Sequence, residues 1–170
     1  MNIPAPATDT APPPTSSPRN RATGRSGRHR PIHLRPSYLI LVLVGGAIGT
    51  AGREALALTF PTPAGGVPWV IFGVNIVGAF LLGLLLDTLA RRGTDRRRRR
   101  ALRLLLGTGV LGGFTTYSAL ATDTADLIGH GAPSRGLAYG LATVLVGGVA
   151  TVAGIATASA AHRSRTRGAA

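Results

Sequence analysis

Four stretches of this chain hold no Asp, Glu, Lys or Arg: residues 37–52, 55–86, 104–122 and 136–161. A helix crosses the hydrocarbon layer of a bilayer in roughly 20 residues. A helix on a soluble domain needs a polar face, and these segments have none. The chain is therefore expected to be an all-α membrane protein with four transmembrane helices, at about 38–58, 69–90, 101–128 and 135–161. Pro61, Pro63, Gly65, Gly66 and Pro68 turn the chain after the first, and Gly129 to Pro133 turn it before the last. Trp69 opens the second as an interfacial anchor.

The ends differ from the middle. Residues 1–37 are rich in Pro, Ser, Thr and Arg with almost nothing to bury, and are expected to be a disordered tail. No apolar stretch precedes Tyr38, so the tail does not read as a secretory signal. Residues 162–170 form a short basic tail. The chain has 19 basic residues, all Arg, and six acidic ones. A net charge of +13 would suit a nucleic-acid binder if it were spread over one surface. It is not spread. With four crossings, both termini and the middle connection share one side, which holds 17 Arg, while the opposite side holds only Arg135 and Arg53 lies within the first helix. By the positive-inside rule that side is the cytoplasm, in a multi-pass protein of the cell membrane. The run Arg96–Arg100 then sets topology and attracts anionic membrane lipid, and no nucleic-acid partner is expected.

No Cys is present, so disulfides and thiolate metal sites are excluded, and the four His fit no metal spacing. No nucleophile and base, and no carboxylate pair, share a common depth; an enzyme is not expected. The polar groups at membrane depth are the informative ones, because each needs a partner or a wet cavity. Asn75, in Gly73-Val-Asn75-Ile-Val-Gly78, serves either as interhelical glue or as a ligand donor. Arg53, near the end of the first helix, either snorkels beside Glu54 or presents a fixed positive charge to an anion. In the third helix four glycines fall within residues 107–113 and two β-branched threonines follow, which is poor helix propensity. A break in mid-membrane is expected there, with freed carbonyls able to hold a small cation. Beyond it, Thr115, Ser118 and Thr122 would share one stripe of a continuing helix. Small residues spaced by four, Gly45 with Gly49, Gly136 with Gly140, and Gly154 with Ala150 and Ala158, allow close helix packing.

Three motifs taken together resemble the Fluc/CrcB family of fluoride channels: Gly45-Gly-Ala-Ile-Gly49-Thr-Ala-Gly-Arg53, Gly73-Val-Asn75-Ile-Val-Gly78, and Gly112-Gly-Phe-Thr-Thr-Tyr-Ser118. The resemblance runs from about residue 38 to 161. It implies an antiparallel, dual-topology dimer that passively exports fluoride through narrow pores. It also implies a structural, non-transported Na+ held by the backbone carbonyls of Gly112 and Thr115. On the same ground the fluoride pathway would include Asn75, Thr116, Tyr117 and Ser118, with Arg53 as a vestibule cation and Tyr139 and Thr143 from the fourth helix. At the positions of Tyr117 and Leu120 the family typically has phenylalanines. Tyr117 keeps an aromatic edge and adds a hydroxyl; Leu120 offers neither edge nor donor.

An antiparallel homodimer needs a sequence that inserts both ways, and 17 Arg against one opposes that. The expected partner is a related subunit of opposite bias, giving a heterodimer. Two other readings compete. A small proton-coupled multidrug exporter would need a carboxylate at mid-membrane, and only Glu54 could serve. A non-transporting membrane scaffold would depend on its Arg-rich tails and not on Asn75.

Overall fold

The computed structural model describes residues 36–91 and 97–167, with side chains to Ser164. The expected N-terminal tail and Arg96 lie outside the described residues. The helices are α1 (Pro36–Thr59), α2 (Trp69–Arg91), α3 (Arg97–Leu102), a π-helix (Arg103–Leu111), α4 (Gly112–Phe114), α5 (Tyr117–Gly129) and α6 (Pro133–Arg167). Four stretches are long and apolar enough to cross a membrane: Pro36–Thr59, Trp69–Arg91, Arg97–Gly129 and Pro133–Ser164. The regular structure of the described residues is thus all helical, with four spans in the order and near the positions that the uncharged runs foretell. The last helix continues to Arg167 rather than stopping at Ala161, because Ala160, Ala161 and the residues after them contain no helix breaker before Gly168.

Backbone contact through glycine holds the bundle together. On α1, a Cβ placed on Gly45 would lie 2.5 Å from the Leu105 carbonyl oxygen, and one on Gly109 would lie 2.9 Å from Gly45 Cα. A Cβ on Gly49 would strike the Val110 carbonyl, and one on Gly113 the Gly46 carbonyl. The glycine-rich run therefore does not open the helix at Gly107 and Gly109. It lets α1 lie against the π-helix, whose wider turn accommodates that approach. Lipid tails give helices no hydrophobic reason to associate, so this close fit is a main source of cohesion. The same device joins α6 to α2, where Gly154 faces the Phe80 carbonyl and Gly83 the Thr151 carbonyl. Gly136 and Gly140 sit against Thr124 of α5. Leu39, Leu43, Leu145, Val149 and Val152 point outward, as a lipid-solvated surface requires.

Two features set the register of α5 against α6. Gly131 adopts φ 77°, its N–H donates to the Ile128 carbonyl at 3.0 Å, and the Ala132 N–H donates to the Leu127 carbonyl at 3.0 Å. This is the paired-bond helix ending in which a left-handed residue satisfies the last carbonyls, with Leu127 and Ala132 both buried beneath it. Pro133 then starts α6, where a missing N–H costs nothing. The resulting hairpin buries Leu127, Leu120 and Tyr139 as one cluster, against which Val67 and Phe72 pack.

Candidate functional site

The α-helical residues that end at Phe114 and those that start at Tyr117 are separated by two extended residues, Thr115 (φ −77°, ψ 152°) and Thr116 (φ −149°, ψ 118°). Apolar surroundings make unpaired backbone costly, so the groups released here need partners. Asn75 supplies them. Its Oδ1 accepts from the Thr116 N–H at 2.8 Å and its Nδ2 donates to the Thr116 carbonyl at 3.2 Å. The side-chain amide pairs with residue 116 as a neighbouring strand would. Thr116 also caps α5: its Oγ1 accepts from the Ala119 N–H at 3.1 Å and lies 3.0 Å from Ser118 Oγ. Asn75 therefore acts as interhelical glue, yet its second Nδ2 hydrogen makes no hydrogen bond among the described residues.

Because α5 begins at Tyr117, Thr115 stands outside it, and the expected stripe of Thr115, Ser118 and Thr122 does not form. Thr115 Oγ1 donates back to the Leu111 carbonyl at 2.8 Å, and Thr122 Oγ1 to the Ser118 carbonyl at 3.0 Å. What does form is a groove of about 310 Å³ lined by Asn75, Thr115, Thr116, Tyr117 and Leu120 on one side and Thr143, Gly147 and Thr151 on the other. No charged side chain lines it. Asn75, Thr116, Tyr117 and Thr143 are thus brought together. Ser118 joins through Thr116, and Tyr139 lies one turn from Thr143, whose Oγ1 donates to the Tyr139 carbonyl at 2.8 Å. The Tyr139 hydroxyl donates to Asp123 Oδ2 at 3.3 Å.

Arg53 is not on this groove. Its Nη1 lies 3.5 Å from Glu54 Oε2, and its buried Nε has no hydrogen-bond partner among the described residues. Tyr117 is 80% exposed with its hydroxyl unbonded, whereas Leu120 is 7% exposed and packs with Leu127 and Tyr139. Leu120 is in the first place a packing residue that also borders the groove.

Among the groove residues to which no role was assigned from the sequence are Gly78 and Thr151. Gly78 faces Thr115 so closely that a Cβ would strike Thr115 Cγ2. Thr151 follows Thr143 by two steps of four, which places both on one face of α6. That spacing was readable; the contact at Gly78 was not, since any of the α2 glycines could have met another helix.

The resemblance also implies a sodium ion, and the backbone offers a test of fit. In a continuous helix the Thr116 N–H would bond the Gly112 carbonyl and the Ala119 N–H the Thr115 carbonyl. Both donors are diverted, to Asn75 Oδ1 and Thr116 Oγ1. The carbonyls of Gly112 and Thr115 thereby lose their helical donors, as do those of Phe114 and of Gly113, which accepts instead from Thr50 Oγ1 at 3.3 Å. Neutral carbonyl oxygens released from a helix are a donor set that suits a small monovalent cation. Among the described residues no group of three His, Asp or Glu side chains is arranged for a metal.

Comparison with known proteins agrees with the motif-based resemblance. The family described as CrcB-like protein, Camphor Resistance (CrcB), matches residues 40–155. The chain is 50% identical to a protein of Leifsonia xyli subsp. xyli named fluoride-specific ion channel FluC 2, over 76% of this chain and 89% of that one. It is 47% identical to FluC 1 of Cutibacterium acnes, over 66% and 79%. It is 42% identical to FluC 1 of Streptomyces coelicolor, over 75% and 78%; both carry the name fluoride-specific ion channel. The matched region contains all three motifs, every groove residue and all four apolar spans apart from their ends, and the chain belongs to the CrcB-like family.

Proposed function

We propose that this chain is one subunit of a channel, not an enzyme, that lets fluoride leave the cell passively and so limits its toxicity. The observation that carries the reading is the groove at Thr115 and Thr116: uncharged, and setting the amide of Asn75 and the hydroxyls of Thr116, Tyr117, Thr143 and Thr151 into a mostly apolar wall. Fluoride gives up its tight hydration only where donors replace it, and burying a bare charge costs far more than one hydrogen bond returns. A full cation in the groove would trap the ion. Conduction needs binding that is favourable but escapable. The second Asn75 N–H and the Tyr117 hydroxyl are donors not already committed among the described residues. The hydroxyls of Thr143 and Thr151 are committed to carbonyls one turn back, and would have to rotate out of those bonds to meet an ion. The names carried by the relatives support the same ion.

The partner follows from exposure and charge. A tyrosine 80% exposed at mid-span, with its hydroxyl unpaired among the described residues, is poorly suited to lipid, and a second subunit would cover it. We take that subunit to be antiparallel. The 17-to-one Arg bias favours insertion with both termini in the cytoplasm, so the partner would be a related subunit of opposite bias, forming a heterodimer. Thr115 and Thr116 serve as the mid-membrane break, and a bound Na+ held by the Gly112 and Thr115 carbonyls would supply fixed positive charge that ties the break to the dimer axis. The exporter reading lacks its carboxylate: Glu54 lies beside Arg53 on exposed surface, off the groove.

Growth of a fluoride-sensitive bacterium that lacks its own exporter tests the reading. Co-expression with an oppositely biased relative should restore growth in fluoride, and the same pair carrying Asn75→Ala should not. Growth unaffected by the pair would contradict it.

A further inference from the structure

A second cavity, about 250 Å³, lies on the face of the molecule that carries the turns at 60–68 and 130–132. It runs between the first turns of α2 and α6 and is lined by Val67, Trp69, Phe72, Ala138 and Ala142, with Tyr139 at its back and Arg135 at its mouth. Trp69 and Phe72 meet edge to face, their ring centroids 5.8 Å apart at 78°. The lining is almost wholly apolar apart from the one guanidinium, and Arg135 makes no hydrogen bond or ion pair with any described residue. The two carboxylates of α5 are engaged elsewhere, Asp123 by the Tyr139 hydroxyl and Asp126 by His130, whose Nδ1 lies 3.3 Å from Asp126 Oδ1.

We propose that this cleft is a binding site for one anionic phospholipid, an acyl chain lying over Phe72, Ala138 and Ala142 and the headgroup phosphate pairing with Arg135. Three observations select that occupant. The wall suits hydrocarbon, and besides Arg135 its side-chain donors are only the Trp69 indole N–H and the already bonded Tyr139 hydroxyl. The cation stands at the end of a membrane span, where headgroups lie, beside a tryptophan of the kind that sits at that level. Its charge has no carboxylate partner, so a lipid with net negative charge complements it, whereas a zwitterionic lipid brings its own ammonium. Arg135 is the one arginine that lines the cleft, whereas Arg53, near the same end of the spans, lies on α1 outside it, so a headgroup preference that is lost in Arg135→Gln belongs to the cleft.

Trp69 is the only tryptophan in the chain and lines the cleft, which makes its fluorescence a local reporter. The full chain, reconstituted in bilayers containing brominated phosphatidylglycerol or brominated phosphatidylcholine, should show stronger quenching by the anionic lipid. The preference should be about fivefold in relative binding, the factor one arginine near a lipid surface provides. It should disappear in Arg135→Gln, persist largely in Arg135→Lys, and weaken with salt. Equal quenching by the two lipids, a preference that survives in Arg135→Gln, or no quenching by either would overturn the proposal. The measurement does not depend on ion conduction, so its outcome is separate from the fate of the channel reading.

Discussion

Asn75 and Thr116, 41 residues apart in sequence, exchange two hydrogen bonds at 2.8 and 3.2 Å. One side-chain amide thereby satisfies both the donor and the acceptor of a residue that has left the helix. Removing it leaves two backbone groups unpaired in apolar surroundings. Asn75→Ala is expected to cost about 2–6 kcal/mol of stability, about 1–3 kcal/mol for each of the two groups left unsatisfied. Unfolding in detergent reads that loss. Fluoride flux, read separately, should fall to background even where the variant remains folded, because the uncommitted N–H is lost as well.

Glycine contacts can be told apart by comparing two substitutions of equal size. Gly78→Ala would drive a methyl group into Thr115 Cγ2, whereas Gly148→Ala meets nothing within 4 Å. The first should destabilise by about 1–3 kcal/mol, as overpacking does, and reduce flux. The second should be neutral or gain about 0.5–1 kcal/mol from the better helix former. Thermal unfolding of the two variants side by side checks both signs.

Much of this architecture was legible because a bilayer admits few solutions. Runs without charge over 37–52, 55–86, 104–122 and 136–161 leave little except four spanning helices, and all four are present. The importance of Asn75 was also legible, since a lone amide at membrane depth must have a partner. Where the backbone departs from the helix was harder to read. Low propensity over the glycines and the two threonines pointed to a break without saying at which residue, and Gly107 and Gly109 remain helical, packed against α2 and α1 respectively. The extended residues come later, at Thr115 and Thr116, where Asn75 offers the backbone an alternative partner. Propensity is local, while that compensation comes from another helix. Gly78 and the pairing of Tyr139 with Asp123 went unread for the same reason.

Leu120 stands where the family usually carries an aromatic, yet it is 7% exposed among Leu127 and Tyr139. Restoring the aromatic should therefore not restore anything. Leu120→Phe is expected to overfill the cluster at a cost of about 1–3 kcal/mol and to give flux no higher than the unaltered chain. Paired unfolding and flux measurements check it, and a faster channel would show that the cluster leaves room for a ring the pathway needs.

Orientation is open to a direct chemical assay because the chain has no cysteine. Ser164→Cys places a single thiol near the end of α6. In intact cells a membrane-impermeant maleimide should leave it unlabelled, and permeabilisation should expose it. Labelling of about half the molecules before permeabilisation would mean that the chain inserts both ways despite its Arg bias.

Fluoride release from vesicles, followed with a fluoride-selective electrode, probes the channel assignment most directly. Vesicles holding this chain together with an oppositely biased relative should empty their fluoride quickly once a potassium shunt relieves the voltage, and should retain chloride under the same conditions. Fluoride held as tightly as in protein-free vesicles, or chloride lost as fast as fluoride, would contradict the account.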